Sequence, residues 1–285
     1  MNKKLAIFAL IFAIDFGLIH SLVKVYPHLQ VHVLNVGQGD AILITTPEQN
    51  HILIDGGPDN EVLGELPKVL PYLFPKIDLL VLSHPHLDHV AGLVEIMKRY
   101  DVSAVLLNPV EYPSGAYERF LEEIKGTKIY SASSSKDFRF GDTYVDVLFP
   151  FVAGTTDANA NNESVALMIS QGGHKILLTG DAEKEEEAKL LAYNLEADIF
   201  KAGHHGSRTS STLLDKIMPK LLLISCGVGN KFGHPHEETL EKANGLGIEV
   251  LRTDQIGTIS IIFDDYSLIR SIFAPSWRSF SSSFS

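Results

Sequence analysis

Three apolar runs, "DLLVLS" at 78–83, "KILLTG" at 175–180 and "DIFKAG" at 198–203, each stop at residues of one chemical kind. The first runs into "HPHLDH" at 84–89, the second into Asp181, and the third into His204 and His205. Short apolar runs bounded by turn residues read as buried strands. All three therefore deliver aspartate or histidine from a strand end, and separate structural explanations for all three do not suffice.

The rest of the chain supplies sheets for these strands. "VHVLNV", "AILITT" and "HILIDGG", with the turn "GQGD" between the first two, read as a meander of three strands joined by tight turns. "EVLGELPKVLPYLF" has apolar residues at helical spacing, interrupted by Pro67 and Pro71. "VAGLVEIMKRY", "GAYERFLEEIK", "AEKEEEAKLLAYN", "STLLDKIMP" and "EETLEKANGLG" read as helices, and "SAVLLN", "YVDVLFP", "SVALMIS", "KLLLISC" and "TISIIF" as strands. This order predicts an α/β fold in which two mixed sheets pack together with helices outside.

Composition narrows the chemistry. The formal charge of -11 disfavours wholesale binding to nucleic acid or to an anionic membrane, so a polyanion must be met by local cations or metal. One cysteine, Cys226, allows neither an internal disulfide nor a thiolate cluster, which leaves His, Asp and Asn as ligands. At the start, Lys3 and Lys4 precede "LAIFALIFAI". This predicts an uncleaved signal anchor over 1–28, or alternatively a cleaved signal or an apolar helix lying on the domain. Either export reading places the domain 29–274 outside the cytoplasm, membrane-anchored or secreted, with a serine-rich tail over 275–285.

The "HPHLDH" loop is the densest cluster. His84 and His86 alternate and can face one side of an extended segment, while the following turn brings Asp88 and His89 to a second point nearby. Imidazole and carboxylate suit a divalent ion such as zinc or manganese, and two adjacent ions fit the spacing better than one. The plain alternative is a helix N-cap made by Asp88 or Ser83, which leaves three histidines unexplained. Asp181 could likewise cap a helix starting at Ala182.

Together with Asp55 in "LIDGG", these motifs occur in the order of the metallo-β-lactamase superfamily. "NVGQGDAILI", "NNES", "LLTGD", "KAGHHGSRTS", "SCGVGNKFGHPH" and "RTDQIGTI" resemble the hydrolase domain of the ComEC competence proteins over about residues 31–263. The resemblance implies a four-layer αββα sandwich with a dinuclear metal site at one edge of the sheets. It implies that His84 and His86 hold one ion, that Asp88 and His89 hold the second, and that Asp181 bridges them. His204 or His205 would complete the second set, His204 being preferred, and Asp55 would support the loop without binding metal. The superfamily's third histidine for the first ion is absent, and "ANNESVAL" offers Asn161, Asn162 or Ser164 in its place. His86 stands where the ComEC pattern often has Asp.

Such a site activates water for hydrolysis, with Asp88 accepting a hydrogen bond from the nucleophile. For a phosphodiester, charge developing on the non-bridging oxygens needs donors. Ser207, Arg208, Lys231, His234 and His236 are the candidates, against helix capping for Ser207, a turn for His234 and solvated charge for Arg208 and Lys231. The expected activity is a phosphodiesterase or nuclease. Its alternatives are hydrolysis of an ester or lactam, or a metal- or nucleic-acid-binding module without catalysis.

Overall fold

The computed structural model describes residues 28–70, 76–154, 159–208, 211–263 and 268–272. The segment 1–27, most of the expected anchor, and the tail 275–285 lie outside the described residues, within which no helix is long and apolar enough to cross a membrane.

In chain order the elements are β1 (Gln30–Val33), β2 (Ile42–Thr45), β3 (His51–Ile54), α1 (Glu61–Val69), β4 (Lys76–Ile77), β5 (Leu79–Leu82), α2 (Leu87–Arg99), β6 (Asp101–Val102), β7 (Ala104–Leu107) and α3 (Gly115–Glu123). There follow β8 (Lys128–Ser131), β9 (Phe138–Phe140), β10 (Thr143–Phe149), β11 (Ala166–Gln171), β12 (His174–Leu178), α4 (Lys184–Leu190) and β13 (Ile199–Lys201). The chain then runs through α5 (Ser211–Ile217), β14 (Leu221–Ile224), α6 (Glu237–Gly245), β15 (Glu249–Arg252), α7 (Thr253–Ile256), β16 (Ile259–Phe263) and β17 (Leu268–Ile272). One sheet has the order β17-β16-β1-β2-β3-β5-β7-β8 and the other β15-β14-β13-β12-β11-β10-β9. Both are mixed, as expected. β3, β5 and β7 are parallel in the first, as are β12, β13 and β14 in the second.

Alternation along each strand divides the apolar side chains between layers. In β5, Leu79 and Val81 join Leu167, Ile176 and Ile199 in the core between the sheets, whereas Leu80 and Leu82 pack with Val90 and Leu93 of α2 and Phe120 of α3. On the other side Leu177, Phe200 and Leu222 meet Leu190, Leu213 and Ala243 of α4, α5 and α6. Strands covered on both faces must be apolar on both, which is why they appear in the sequence as continuous runs.

Backbone packing fixes α2. A Cβ on Gly92 would lie 1.9 Å from the carbonyl oxygen of Gly56, and one on Gly39 would lie 2.2 Å from that of Asp88. Hydrogen bonds tie the same segments: Asp40 N–H donates to Asp88 O at 3.2 Å, Gly56 N–H to His89 O at 2.8 Å and Gly92 N–H to Gly57 O at 3.1 Å. The "GQGD" and "DGG" turns thus clamp the first turn of α2, where Asp88 and His89 sit.

Helix α4 buries a carboxyl. Glu187 is shut from solvent and its pKa is pushed up to about 8 by burial, with the neighbouring Glu183 adding to the effect. Because this folded-state value lies above the unfolded one, the folded protein holds the extra proton, and stability falls as pH rises between the two values. Glu187→Gln should therefore raise the Tm at about pH 9 by an amount worth on the order of 2–4 kcal/mol and change it little near pH 5. Equal increments at both pH values in thermal melts would sink this account.

Candidate metal centre

The site forms where the parallel strands of both sheets end. β5 leads into Ser83 and His84, β12 into Asp181, β13 into His204 and His205, and β3 into Asp55. Val165 N–H donates to Ser83 O at 2.9 Å and so joins the two sheets beside the site, while His204 N–H donates to Gly180 O at 3.2 Å and ties together the segments that follow β12 and β13.

Helix α2 begins inside the motif, three residues before "VAGLVEIMKRY". Its N-cap is His86 in extended conformation, with no side-chain capping bond. Asp88 therefore does not serve as a cap, and the first helical turn carries Asp88 and His89 toward Asp181. Asp181 does not cap a helix either, since α4 starts at Lys184 behind Glu183.

Four ligand-type atoms, one each from Asp88, His89, Asp181 and His205, lie within 4.8 Å of one another. Asp181 Oδ2 is 3.3 Å from His89 Nε2 and 3.4 Å from His205 Nε2, and Asp88 Oδ2 is 3.3 Å from His205 Nε2. His84 Nε2 approaches the same Asp181 oxygen at 3.9 Å. The half-buried ring of His86 lies beside that of His84, their centroids 4.7 Å apart. Asp181 thus stands between the pair His84 and His86 and the group Asp88, His89 and His205.

The geometry separates His204, the histidine preferred from the sequence, from His205, and it is His205 whose ring joins the cluster. His205 is buried against the cluster, and its Nδ1–H donates to Ser225 O at 3.0 Å. His204 is partly exposed, with Nε2 4.0 Å from Asp181 and Nδ1 3.3 Å from Glu183 Oε1. Both residues adopt positive φ, 45° and 55°, in the 3-10 turn Gly203–Gly206. Left-handed backbone at two consecutive non-glycine residues is strained and concentrates at functional sites. That turn decides which ring points inward.

Asp55 lies behind the loop and bonds to Ser83 and His89. At φ 59° it accepts from Ser83 N–H at 2.8 Å and from Ser83 Oγ–H at 2.6 Å, and its Oδ2 takes the Nδ1–H of His89 at 2.8 Å. The tautomer of His89 is thereby set, with Nε2 free to face Asp181. "ANNES" frames the opposite side. Asn161 Nδ2 donates to Glu183 Oε1 at 2.7 Å, Asn162 Nδ2 approaches Glu185 Oε2 at 3.5 Å, and Ser164 Oγ accepts from Asp181 N–H at 3.1 Å. The Oδ1 atoms of Asn161 and Asn162 are buried without a hydrogen bond.

Burial alone would raise Asp181, but the His205 and His89 rings against it hold it well below the usual carboxylate range. Burial alone would lower His89 and His205, yet Asp181, with Asp55 for the one and Asp40 for the other, carries both well above the ordinary imidazole value. His84 goes the other way, pushed well down by burial and by His89. An arrangement that favours positive charge between carboxylates equally favours a divalent cation there. The donor set fits one: the Nε2 atoms of His84, His89 and His205 are buried without a hydrogen bond of good geometry.

The substrate-side candidates divide. Ser207 is buried, and its carbonyl accepts from Thr239 Oγ–H at 2.7 Å, a bond that ties the turn to α6. Arg208 pairs with Glu238 at 2.9 Å on the surface. His234 lies on the rim, its ring centroid 6.1 Å from that of His205 and 4.9 Å from that of His236. Burial and the neighbouring His204 lower its pKa to about 4, so it is a neutral imidazole at neutral pH. Lys231 projects from the same loop over Phe232, 5.1 Å from the ring centroid.

Sequence reasoning missed Asp40 and Lys201, which lie directly behind the cluster. Lysine inside a fully buried strand demands a buried partner, and that was the available signal.

The chain is similar to several known proteins. A family model described as the metallo-beta-lactamase superfamily matches residues 34–228. ComE operon protein 3 of Bacillus subtilis is 31% identical over 283 residues, covering 89% of this chain and 36% of that protein. Recombination protein 2 of Haemophilus influenzae is 30% identical over 245 residues, covering 83% and 29% respectively. The chain thus spans about a third of the length of these curated relatives. Among solved structures, Igni18, described as a metallo hydrolase of Ignicoccus hospitalis, superposes with a TM-score of 0.56 at 16% identity, over 82% of this chain and 100% of that one.

Proposed function

Because the chain belongs to the metallo-β-lactamase superfamily, we propose that it is a phosphodiesterase or nuclease of the ComEC type, with two divalent cations, zinc or manganese, held about Asp181. The carrying observation is the meeting of partly exposed Asp88 with buried His89, Asp181 and His205 within 4.8 Å. His84 and His86 would hold the first ion, Asp88, His89 and His205 the second, and Asp181 both. Bound there, such ions lower the pKa of water and stabilise developing negative charge.

The chain's own groups supply the rest. Asp88, held well below the usual carboxylate range by His89 and His205 against the opposing effect of burial, is ionised and accepts the hydrogen bond that orients the attacking water. His234, neutral, donates a hydrogen bond to a phosphoryl oxygen and does not act as a cationic acid. Lys231 offers positive charge at the rim of a chain whose net charge is -11. Exposed Leu87, beside Asp88 in the first turn of α2, and exposed Val228 and Phe232, on the loop that carries His234, give apolar surface for the substrate's non-phosphate part. Arg208, paired with Glu238, and Ser207, tied to α6, serve the scaffold. We place the protein outside the cytoplasm on the strength of the segment 1–28.

The test is a panel of a generic phosphodiester, single- and double-stranded nucleic acids, an ester and a lactam, each with zinc and manganese supplied separately. Hydrolysis of the phosphodiesters by protein holding two metal equivalents is expected. Turnover of the lactam or ester alone would overturn the substrate assignment.

A further inference from the structure

Lys201 is the last residue of a strand whose every position is buried, and its ammonium reaches two carboxylates of the site. It donates to Asp40 Oδ2 in a short ion pair, lies 4.0 Å from Asp181 Oδ1, and sits 3.5 Å from Gly180 O. All three charged side chains are at most 2% exposed. A buried ammonium is costly unless paired, and replacing such a pair by apolar groups is often neutral or stabilising, so folding alone does not account for it.

Its contacts have a direction. Asp181 Oδ1 faces Lys201 and makes no hydrogen bond, whereas Oδ2 faces the Nε2 atoms of His84, His89, His204 and His205. Asp40 lies on the reverse side of the two buried imidazoles. Its Oδ1 is 3.4 Å from His205 Nδ1, and its Oδ2 is 4.0 Å from His89 Nδ1. The backbone holds Asp40 as well, through Asp40 N–H to Asp88 O at 3.2 Å and Gly57 N–H to Asp40 O at 2.8 Å.

We propose that Asp40 and Lys201 form a positioning pair for the metal centre, in which Lys201 turns Asp181 Oδ2 toward the cations and Asp40 backs the ligand rings of His89 and His205 with one shared negative charge. The proposal rests on the metal-dependent reading above. Neither residue touches substrate. Carboxylates behind ligand histidines fix ring orientation and raise basicity, and losing one typically lowers metal affinity about 10–100-fold.

The decisive variant is the double substitution Asp40→Asn/Lys201→Met, which removes one charge of each sign, so the net charge of the site is preserved and the cobalt spectrum reads orientation. On the full-length protein, zinc affinity is measured by competition with a chromophoric chelator, and the visible spectrum of the cobalt-loaded protein reports ligand geometry. The double variant is expected to fold, to bind zinc about 10–100-fold more weakly, and to show an altered cobalt spectrum. Asp40→Asn alone should lose affinity at least as far, and it leaves Lys201 buried without its main partner, so it should also melt earlier. A double variant with parental affinity and spectrum overturns the proposal. A parent that binds metal but cleaves no phosphodiester overturns the substrate reading alone and leaves the pair standing; a parent that binds no divalent metal overturns both.

Discussion

Asp181→Asn should reduce hydrolysis by about a thousand-fold while leaving the fold intact. Asn keeps the volume of the side chain and removes its charge at the one carboxylate within 4.0 Å of four histidine nitrogens. If the site supplies several kcal/mol of charge stabilisation, and each 1.36 kcal/mol is tenfold in rate, about three decades follow. Metal content should fall with it. The paired variants of the "HHGS" turn sharpen the test. His205→Ala should behave like Asp181→Asn, because His205 is buried 3.4 Å from Asp181 Oδ2, whereas His204→Ala, at the partly exposed position, should keep most of the metal and activity. Metal analysis and steady-state rates on all three decide the matter. Loss in His204→Ala with retention in His205→Ala would reverse the assignment of the two rings.

Gly92→Ala should lower the Tm by roughly 6–12 °C, an effect of about 3 kcal/mol in a domain of this size. Two effects compete. Alanine is favoured over glycine within a helix by about 1 kcal/mol. At Gly92, however, the added Cβ would fall 1.9 Å from Gly56 O and 2.8 Å from Asp59 O, and both are backbone atoms that cannot swing aside. The steric cost wins, and α2 must shift away from the "DGG" turn, carrying Asp88 and His89 with it. Gly64 in α1 is the control, since nothing lies within 4 Å of its added Cβ. There the same substitution should stabilise by roughly 0.5–1 kcal/mol. Thermal melts of the two variants should therefore move in opposite directions, and a Gly92→Ala protein that melts with the parent would refute the close packing.

Where the sequence is legible, physical causes make it so. Strands covered on both faces are mostly apolar, so β5, β12, β13 and β14 are visible as runs, and with the first three the convergence of their ends on Asp and His. Edge and short strands lack that signature. Lys128–Ser131 is largely solvent-facing, and Glu249–Arg252 is only half-buried, which leaves no apolar run to see. The start of α2 was hidden because His86 caps it without a capping side chain. His204 and His205 are indistinguishable as letters, and only two left-handed backbone turns separate their roles. Lys201 was absorbed into a strand and Asp40 into a turn, since their meaning depends on a contact across a sequence separation of 161.

That distance has a consequence for assembly. Ser83, His84, Asp88 and His89 follow a strand of the first sheet, Asp181 and His205 follow strands of the second, and Val165 bonding to Ser83 joins the two sides, while β16 returns from the far end of the chain to pair with β1 in the first sheet. No contiguous stretch of the chain owns the centre. A cation bound there would hold residues of both halves at once, so its affinity would depend on their docking and it would in turn stabilise the docked fold.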